Sequence, residues 1–79
     1  MDLFSEIKEM IVKHLALDDE EVVSEAHLQD DLGADSLAIL NLSTTISERY
    51  GIELLSDDLV ELENVGELIA LVESKIASK

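Results

Sequence analysis

The 79 residues contain no cysteine, no proline and no tryptophan, with a single tyrosine at Tyr50 and a single phenylalanine at Phe4. Each absence removes a class of protein. Without cysteine there are no disulfides and no thiolate metal site, and nothing points to an oxidising compartment. With 47% hydrophobic but only 3% aromatic residues, the core must be built from Leu, Ile, Val and Ala. The lack of proline, with only three glycines, suits short helices joined by modest loops and argues against disorder. Basic residues are scarce as well. Five Lys and Arg face nineteen Asp and Glu, a formal net charge of -14. Such a chain repels phosphates, which excludes nucleic acid as a partner. It favours partners with basic docking patches, met at electrostatically accelerated rates. The N-terminus lacks the basic and long apolar segments of a signal peptide, and no apolar run approaches membrane-spanning length. We expect one domain over residues 1–79, cytoplasmic, monomeric and not membrane-spanning. Chains of this size bury only about 60% of their unfolded surface, so its stability should be marginal.

Apolar residues recur at helical spacing through most of the chain. Leu3, Phe4, Ile7, Met10, Ile11 and Leu15 form one stripe of a first helix over Asp2–Leu15, with Glu6, Lys8, Glu9 and Lys13 opposite. His14, near its end, reads as a cation at a helix C-terminus. Leu17–Leu32 is a long acidic connection in which Val22, Val23, Ala26 and Leu28 pack down or form a turn of helix. It lacks the Asp-x-Asp-x-Asp-Gly spacing of a calcium loop, so no specific metal site is expected there, only weak, diffuse cation binding. His27 stands alone in it. A second helix runs from Ser36 to Tyr50, with Ile39, Leu42, Ile46 and Tyr50 on the core side and Ser36, Leu37, Leu40, Thr44 and Ser47 opposite. Gly51 closes it as a left-handed cap. After Ile52–Leu55, a short third helix starts at Ser56 and carries Leu59, Val60 and Leu62. Asn64 and Glu67 have the spacing of a variant capping box opening a fourth helix, where Val65, Leu68, Ile69, Val72 and Ile76 recur. Ala77, Ser78 and Lys79 should fray. The fold expected is all-α: a small four-helix bundle of three longer helices and one short one, with a long loop between the first and second.

The hinge of this arrangement is Gly33-Ala34-Asp35-Ser36-Leu37. Asp35 suits an N-cap, since its carboxylate accepts bonds from the free N–H groups of the first turn. Ser36 then holds the first helical position, its hydroxyl exposed where helix N-termini favour anions. Neither His nor Cys flanks it and no Gly-x-Ser-x-Gly elbow surrounds it, so it lacks what a nucleophilic serine needs. The serine reads as a place to be modified. Leu37 and Leu40 lie beside it on the solvent side of the helix and suggest a docking surface.

Asp35-Ser36-Leu37 at a helix start resembles the attachment motif of acyl carrier proteins. Glu48-Arg49-Tyr50-Gly51-Ile52-Glu53 and Val65-Gly66-Glu67-Leu68-Ile69 resemble that family at the end of the second helix and the start of the last. The resemblance covers nearly the whole chain. It implies a non-catalytic carrier of fatty acid or related lipid or polyketide synthesis. A phosphopantetheinyl transferase would move 4'-phosphopantetheine from coenzyme A onto Ser36, with Asp35 assisting the transfer. The arm's thiol would carry acyl groups as thioesters to acyl-chain synthesis enzymes and acyltransferases. Leu37, Leu40, Thr44 and Glu48 would form the partner-docking face. Ile46, Leu62 and Ile69 would line the acyl-chain pocket between the second and third helices.

Two departures stand out. The second helix has one acidic residue, Glu48, where fatty acid carriers usually present several, and Leu55 and Ser56 stand where a proline usually precedes the third helix. A helix without the acidic pattern discriminates against enzymes that require it, which favours a specialised, stand-alone carrier. Gly33-Ala34-Asp35-Ser36 also differs from the Gly-Gly-x-Ser approach of peptidyl carriers. The alternative to a carrier is an unmodified acidic helical interaction module. A small hydrolase using Ser36 lacks both a triad partner and an oxyanion-hole motif.

No Lys or Arg occurs between Lys13 and Arg49, or between Arg49 and Lys75. Self-repulsion across those intervals should weaken the fold at low ionic strength. Added salt or a divalent cation should therefore raise the melting temperature; melting indifferent to both would mean the charges are less crowded than their spacing indicates.

Overall fold

In the computed structural model, which describes residues 2–79, the first helix begins with a capping bond: Asp2 Oδ1 accepts from Ser5 N–H at 2.8 Å. Those bonds from Ser5 also hold the Asp2 carboxyl below its ordinary range. Helix α1 spans Leu3–Leu15 and buries Ile7, Met10 and Ile11. It ends at Ala16, whose φ of 53° is left-handed and whose N–H reaches Val12 O. That conformation costs a residue bearing a Cβ roughly 1 kcal/mol or more.

The acidic connection is tied down at many points. A single 3-10 turn covers Asp19–Glu21, and Lys8 Nζ of α1 reaches Asp19 at 3.3 Å. Val22, Ala26, Leu28, Leu32 and Ala34 are buried, which is why a segment so rich in carboxylates stays against the bundle. Val23 is exposed, against the sequence expectation, because consecutive residues at that bend cannot both face the core.

Helix α2 spans Ser36–Tyr50. Ile39, Leu42 and Ile46 are buried as expected, with Tyr50 packed against them. Gly51 closes the helix at φ 64°, its N–H bonded to Ser47 O. Ser47 does not join the solvent face assigned to it from helical rotation. It is partly buried, accepts from Leu54 N–H at 3.1 Å, and lies 2.7 Å from Ser43 O and 3.0 Å from Leu54 O. The chain turns back after Gly51 and covers that side of the helix, so the hydroxyl becomes a latch for the Ile52–Leu55 connection.

Helix α3 is short, Ser56–Val60. Leu55 occupies the cap position without a side-chain bond to offer, and Asp58 compensates by accepting from Leu55 N–H at 3.0 Å. Leu59 is buried; Leu62 lies beyond the helix, in the turn that follows, and packs partly against the core. Helix α4 spans Val65–Ala77 and buries Val65, Leu68 and Val72. Asn64 Oδ1 caps it by accepting from Glu67 N–H at 2.9 Å. The Glu67 carboxylate accepts from Glu63 N–H, one residue short of the cap that a reciprocal box would use. The last residues, expected to fray, have hydrogen bonds back to the bundle: Ser78 Oγ donates to Ser74 O, and Lys79 Nζ donates to Tyr50 O at the C-terminal end of α2. An ammonium there meets the negative end of the helix dipole.

The result is the expected all-helical bundle, with α1 packed on α2 and α4, and α2 packed on α3. No strand occurs among the described residues. Where the start of α1 meets the end of α2, Tyr50 Oη donates to Glu6 Oε1 at 2.8 Å, and Arg49 Nη2 lies 3.7 Å from the same oxygen.

Burial raises the Tyr50 phenol from 10.0 to about 12, with the bond to Glu6 and that carboxylate's charge acting in the same direction and Arg49 against it. The folded state therefore keeps a proton that the unfolded chain gives up near pH 10, and stability falls as pH rises from about 10 through about 12. Urea denaturation at stepped pH should show this fall in the parent chain and a smaller one in Tyr50→Phe. Identical pH slopes in the two would show that the phenol is not held. Phenolate absorbance isolates the group, since it is the only tyrosine and there is no tryptophan.

Candidate functional site

The approach to α2 is built from the loop upward. His27 heads one turn of helical backbone, because its Nδ1 accepts from both Gln29 N–H at 3.1 Å and Asp30 N–H at 3.0 Å. Asp31 Oδ2 reaches back to His27 N–H at 2.7 Å. A cap of this kind is usually Ser, Thr, Asp or Asn, which is why His27 looked isolated in the sequence. The turn closes with Asp31 N–H and Leu32 N–H on His27 O and Ala34 N–H on Leu28 O. Gly33 supplies the left-handed step, φ 71°, that turns the chain into α2.

Asp35 then caps α2, its Oδ1 accepting from Ala38 N–H at 2.8 Å. Ser36 follows at the first helical position and is exposed, as expected. Backbone N–H groups at positions one and two of a helix have no intrahelical partner. Those of Ser36 and Leu37 lie at the positive end of the α2 dipole, where a phosphodiester on Ser36 would find charge of the right sign. The donor chemistry of this end thus fits a phosphate-linked group.

The remaining sequence-derived candidates fall into two places. Leu37 (65% exposed), Leu40 (50% exposed), Thr44 and Glu48 are all on the solvent side of α2, spaced to share one face. Thr44 Oγ1 donates back to Leu40 O. Two further large apolar residues are exposed elsewhere, Leu55 at the start of α3 and Val60 at its end. Ile46 is fully buried in the core, and Leu62 and Ile69 pack against that core partly exposed. On the side of α2 that meets α1, His14 and Leu15, Gly33, and Leu37, Ala38 and Asn41 border an open cleft of about 310 Å³ beside Asp35. His14 is part of it through a 3.1 Å contact from Nε2 to Thr45 Oγ1. Nothing in the residue pattern marks this cleft, because it forms only where the end of α1 meets the start of α2. No group of three or more His, Asp or Glu side chains placed to hold a metal occurs among the described residues.

The motif that opens α4 also has a structural reason. Val65 N–H donates to Ala26 O and Gly66 N–H to Ser24 O, both at 2.9 Å. A Cβ at Gly66 would stand 3.3 Å from Asn64 Oδ1 and 3.4 Å from Ser24 O, so a side chain there would crowd the Asn64 cap and lie in contact with the loop.

A helical bundle that presents an exposed serine at a capped helix start has the layout of a carrier-type domain, and comparison with known proteins supplies the family. The profile of the phosphopantetheine attachment site family matches residues 5–72. An acyl carrier protein of Thermotoga maritima is 35% identical over 95% of this chain and 93% of its own. Those of Wolinella succinogenes and Solidesulfovibrio magneticus are 34% and 36% identical, over 94% and 95% of this chain and 97% and 96% of theirs. The chain belongs to the acyl carrier protein family, whose prosthetic group is 4'-phosphopantetheine and whose members carry rather than catalyse.

The His27 cap sets the path into the site, and its removal should be measurable. His27→Ala should lower unfolding free energy by about 1 kcal/mol, the usual worth of a side-chain cap, and His27→Asn should restore most of it. Equal stability of the alanine variant and the parent would show that the two Nδ1 bonds carry no weight.

Proposed function

We propose that Ser36 bears the 4'-phosphopantetheine arm and that residues 1–79 act as one stand-alone acyl carrier domain. The observation that carries this reading is the exposed Ser36 at the first position of α2, with Asp35 capping the same turn and both inside the family match. In the loading reaction, the Ser36 hydroxyl oxygen forms a bond to the phosphorus bearing pantetheine in coenzyme A. The diphosphate bond breaks, adenosine 3',5'-bisphosphate leaves, and the serine proton passes to a base of the transferase. Asp35 assists by fixing the first turn and by placing a carboxylate next to the hydroxyl; its capping bond uses one of its two oxygens. Once attached, the arm supplies a terminal thiol that holds acyl groups as thioesters, the reactive group a cysteine-free chain lacks.

The rest of the assignment follows the same division. Leu37, Leu40, Thr44 and Glu48 form the docking face for the transferase, for acyl-chain synthesis enzymes and for acyltransferases with basic patches. Ile46, Leu62 and Ile69 are the residues assigned to the acyl-chain pocket, which forms between α2 and α3 when the chain enters. The chain itself catalyses nothing, works as a monomer in the cytoplasm, and binds no nucleic acid. No helix among the described residues is long and apolar enough to cross a membrane. The single acidic residue on the docking helix supports a specialised carrier over a general fatty acid one.

Intact mass before and after incubation with coenzyme A and a broad-specificity transferase, with Ser36→Ala beside it, tests the assignment. A gain of one arm in the parent and none in the variant is expected. No gain in a folded parent, with a control carrier loaded in the same tube, would favour an unmodified interaction module, and a gain persisting in Ser36→Ala would move the site to another serine.

A further inference from the structure

The cleft between the end of α1 and the start of α2 begins beside the residues that flank Ser36. At about 310 Å³ it is at the small end of ligand-sized pockets, which run from roughly 300 to 1,000 Å³. Its chemistry is mixed. Leu15, Leu37 and Ala38 give it apolar wall, and His14 and Asn41 give it side-chain donors and acceptors.

The hydrogen bonds around it settle which groups remain to be used. Thr45 Oγ1 donates to Asn41 O at 2.9 Å, so its only proton is spent. Its oxygen therefore accepts from His14 Nε2–H at 3.1 Å, so that in a neutral ring Nδ1 is the acceptor. The Asn41 side chain, on an exposed position of α2, brings an amide with both a carbonyl and an NH2. One imidazole acceptor and one amide, set over apolar wall, match a chain that alternates amide groups with methyl and methylene groups. Phosphopantetheine is such a chain: two amides, a hydroxyl and a geminal dimethyl group between the phosphate and the thiol.

We infer that the resting arm docks in this cleft, on the α1 side of α2, with its amides on His14 and Asn41 and its geminal methyls on Leu15 and Ala38. The inference rests on Ser36 being the attachment residue. Tethering makes the requirement modest. A group held by a short flexible linker sees its site at roughly millimolar effective concentration, so an intrinsic affinity of about that order is enough to populate the docked state. The two sides of α2 then serve different states: the resting arm lies in the cleft against α1, and once its thiol is loaded it leaves the cleft and carries the acyl chain, which has no hydrogen bonds to satisfy, toward α3.

The test uses the loaded, full-length chain. After transfer of an isotope-labelled arm, intact mass establishes that one arm is present. Isotope-filtered NOE spectra should then connect the geminal methyls with Leu15 and Ala38, and the Asn41 side-chain amide should shift between unloaded and loaded protein. Asn41→Leu, at an exposed position, should load equally by mass, melt as the parent does, and lose those NOEs several-fold. A loaded arm with NOEs only to Ser36 and its immediate neighbours, or to Leu62 on the α3 side, would overturn the docking and leave the attachment residue intact. No mass gain would overturn the attachment residue, and the docked arm with it.

Discussion

Two backbone hydrogen bonds hold the molecule's most repulsive segment in place: Val65 N–H to Ala26 O and Gly66 N–H to Ser24 O. They use N–H groups at the first turn of α4 that no helix can satisfy internally, and they use the carbonyls of a loop that has no regular partner of its own. One pairing thus satisfies both. The loop needs it, because Glu20, Glu21, Glu25, Asp30, Asp31 and Asp35 follow one another with no Lys or Arg among them. Its buried side chains, Val22, Ala26, Leu28, Leu32 and Ala34, drive it onto the bundle, and the two bonds fix where it lands. Since the loop leads directly through Gly33 to Ser36, the position of the site is set by contacts at the far end of the chain. Gly66 is small for that reason; what reads as a family motif in the sequence is a close approach of two backbones.

The charge is placed so that α2 is spared. Its interior positions carry hydroxyls in place of carboxylates: Ser43, Thr44, Thr45 and Ser47 each have a hydrogen-bonding hydroxyl directed to a carbonyl one turn back. Satisfied in this way, they ask little of water and nothing of counter-ions. The outcome is a solvent face of Leu37, Leu40 and Thr44 bordered, but not crossed, by acid. On the proposed docking role, basic partners would be drawn to the molecule by its total charge, while contact along this helix would be decided by shape and apolar area. Steering and fit are therefore set by different residues, and a substitution in the loop changes the first without touching the second.

How much of this was legible in the sequence follows a physical boundary. Signals confined to one turn of chain were readable: the Asp35 cap, the Gly51 left-handed end, the exposed serine, and the stripe of Ile39, Leu42 and Ile46 all stand as expected. Features made by residues distant in sequence were not. Ser47 was assigned to solvent because rotation around a helix axis knows nothing of the chain folding back over it at Leu54. The bond from Lys79 could not be read because its partner, Tyr50 O, lies 29 positions away. His27 was missed for a different reason, since imidazole seldom caps a turn and the pattern has no common signature. The left-handed Ala16 was invisible for a similar reason, as alanine gives no sign that it sits where glycine is favoured. The cleft beside Ser36 belongs with Ser47: only the crossing of two helices makes it.

The same structure explains where a carrier can open. Helix α3 has five residues, too few to be stable by its own backbone bonding. It is held by Leu59 in the core, by Asp58 on Leu55 N–H, and by the Ser47 hydroxyl on Leu54 just before it. Local opening is drawn from short, lightly tied elements, and α3 is the shortest of the four described α-helices. Ile46 faces the core fully buried, and Leu62 and Ile69 stand at its edge. An acyl chain of the proposed cargo would enter by displacing the short helix, exchanging a few side-chain contacts for its own apolar surface at about 25 cal/mol per Å². Helices α1 and α4 need not move, nor the loop pinned between them. The attachment end would keep its geometry while the other side of α2 yields, so one helix can hold a fixed tether and line a space that adapts to what the tether brings.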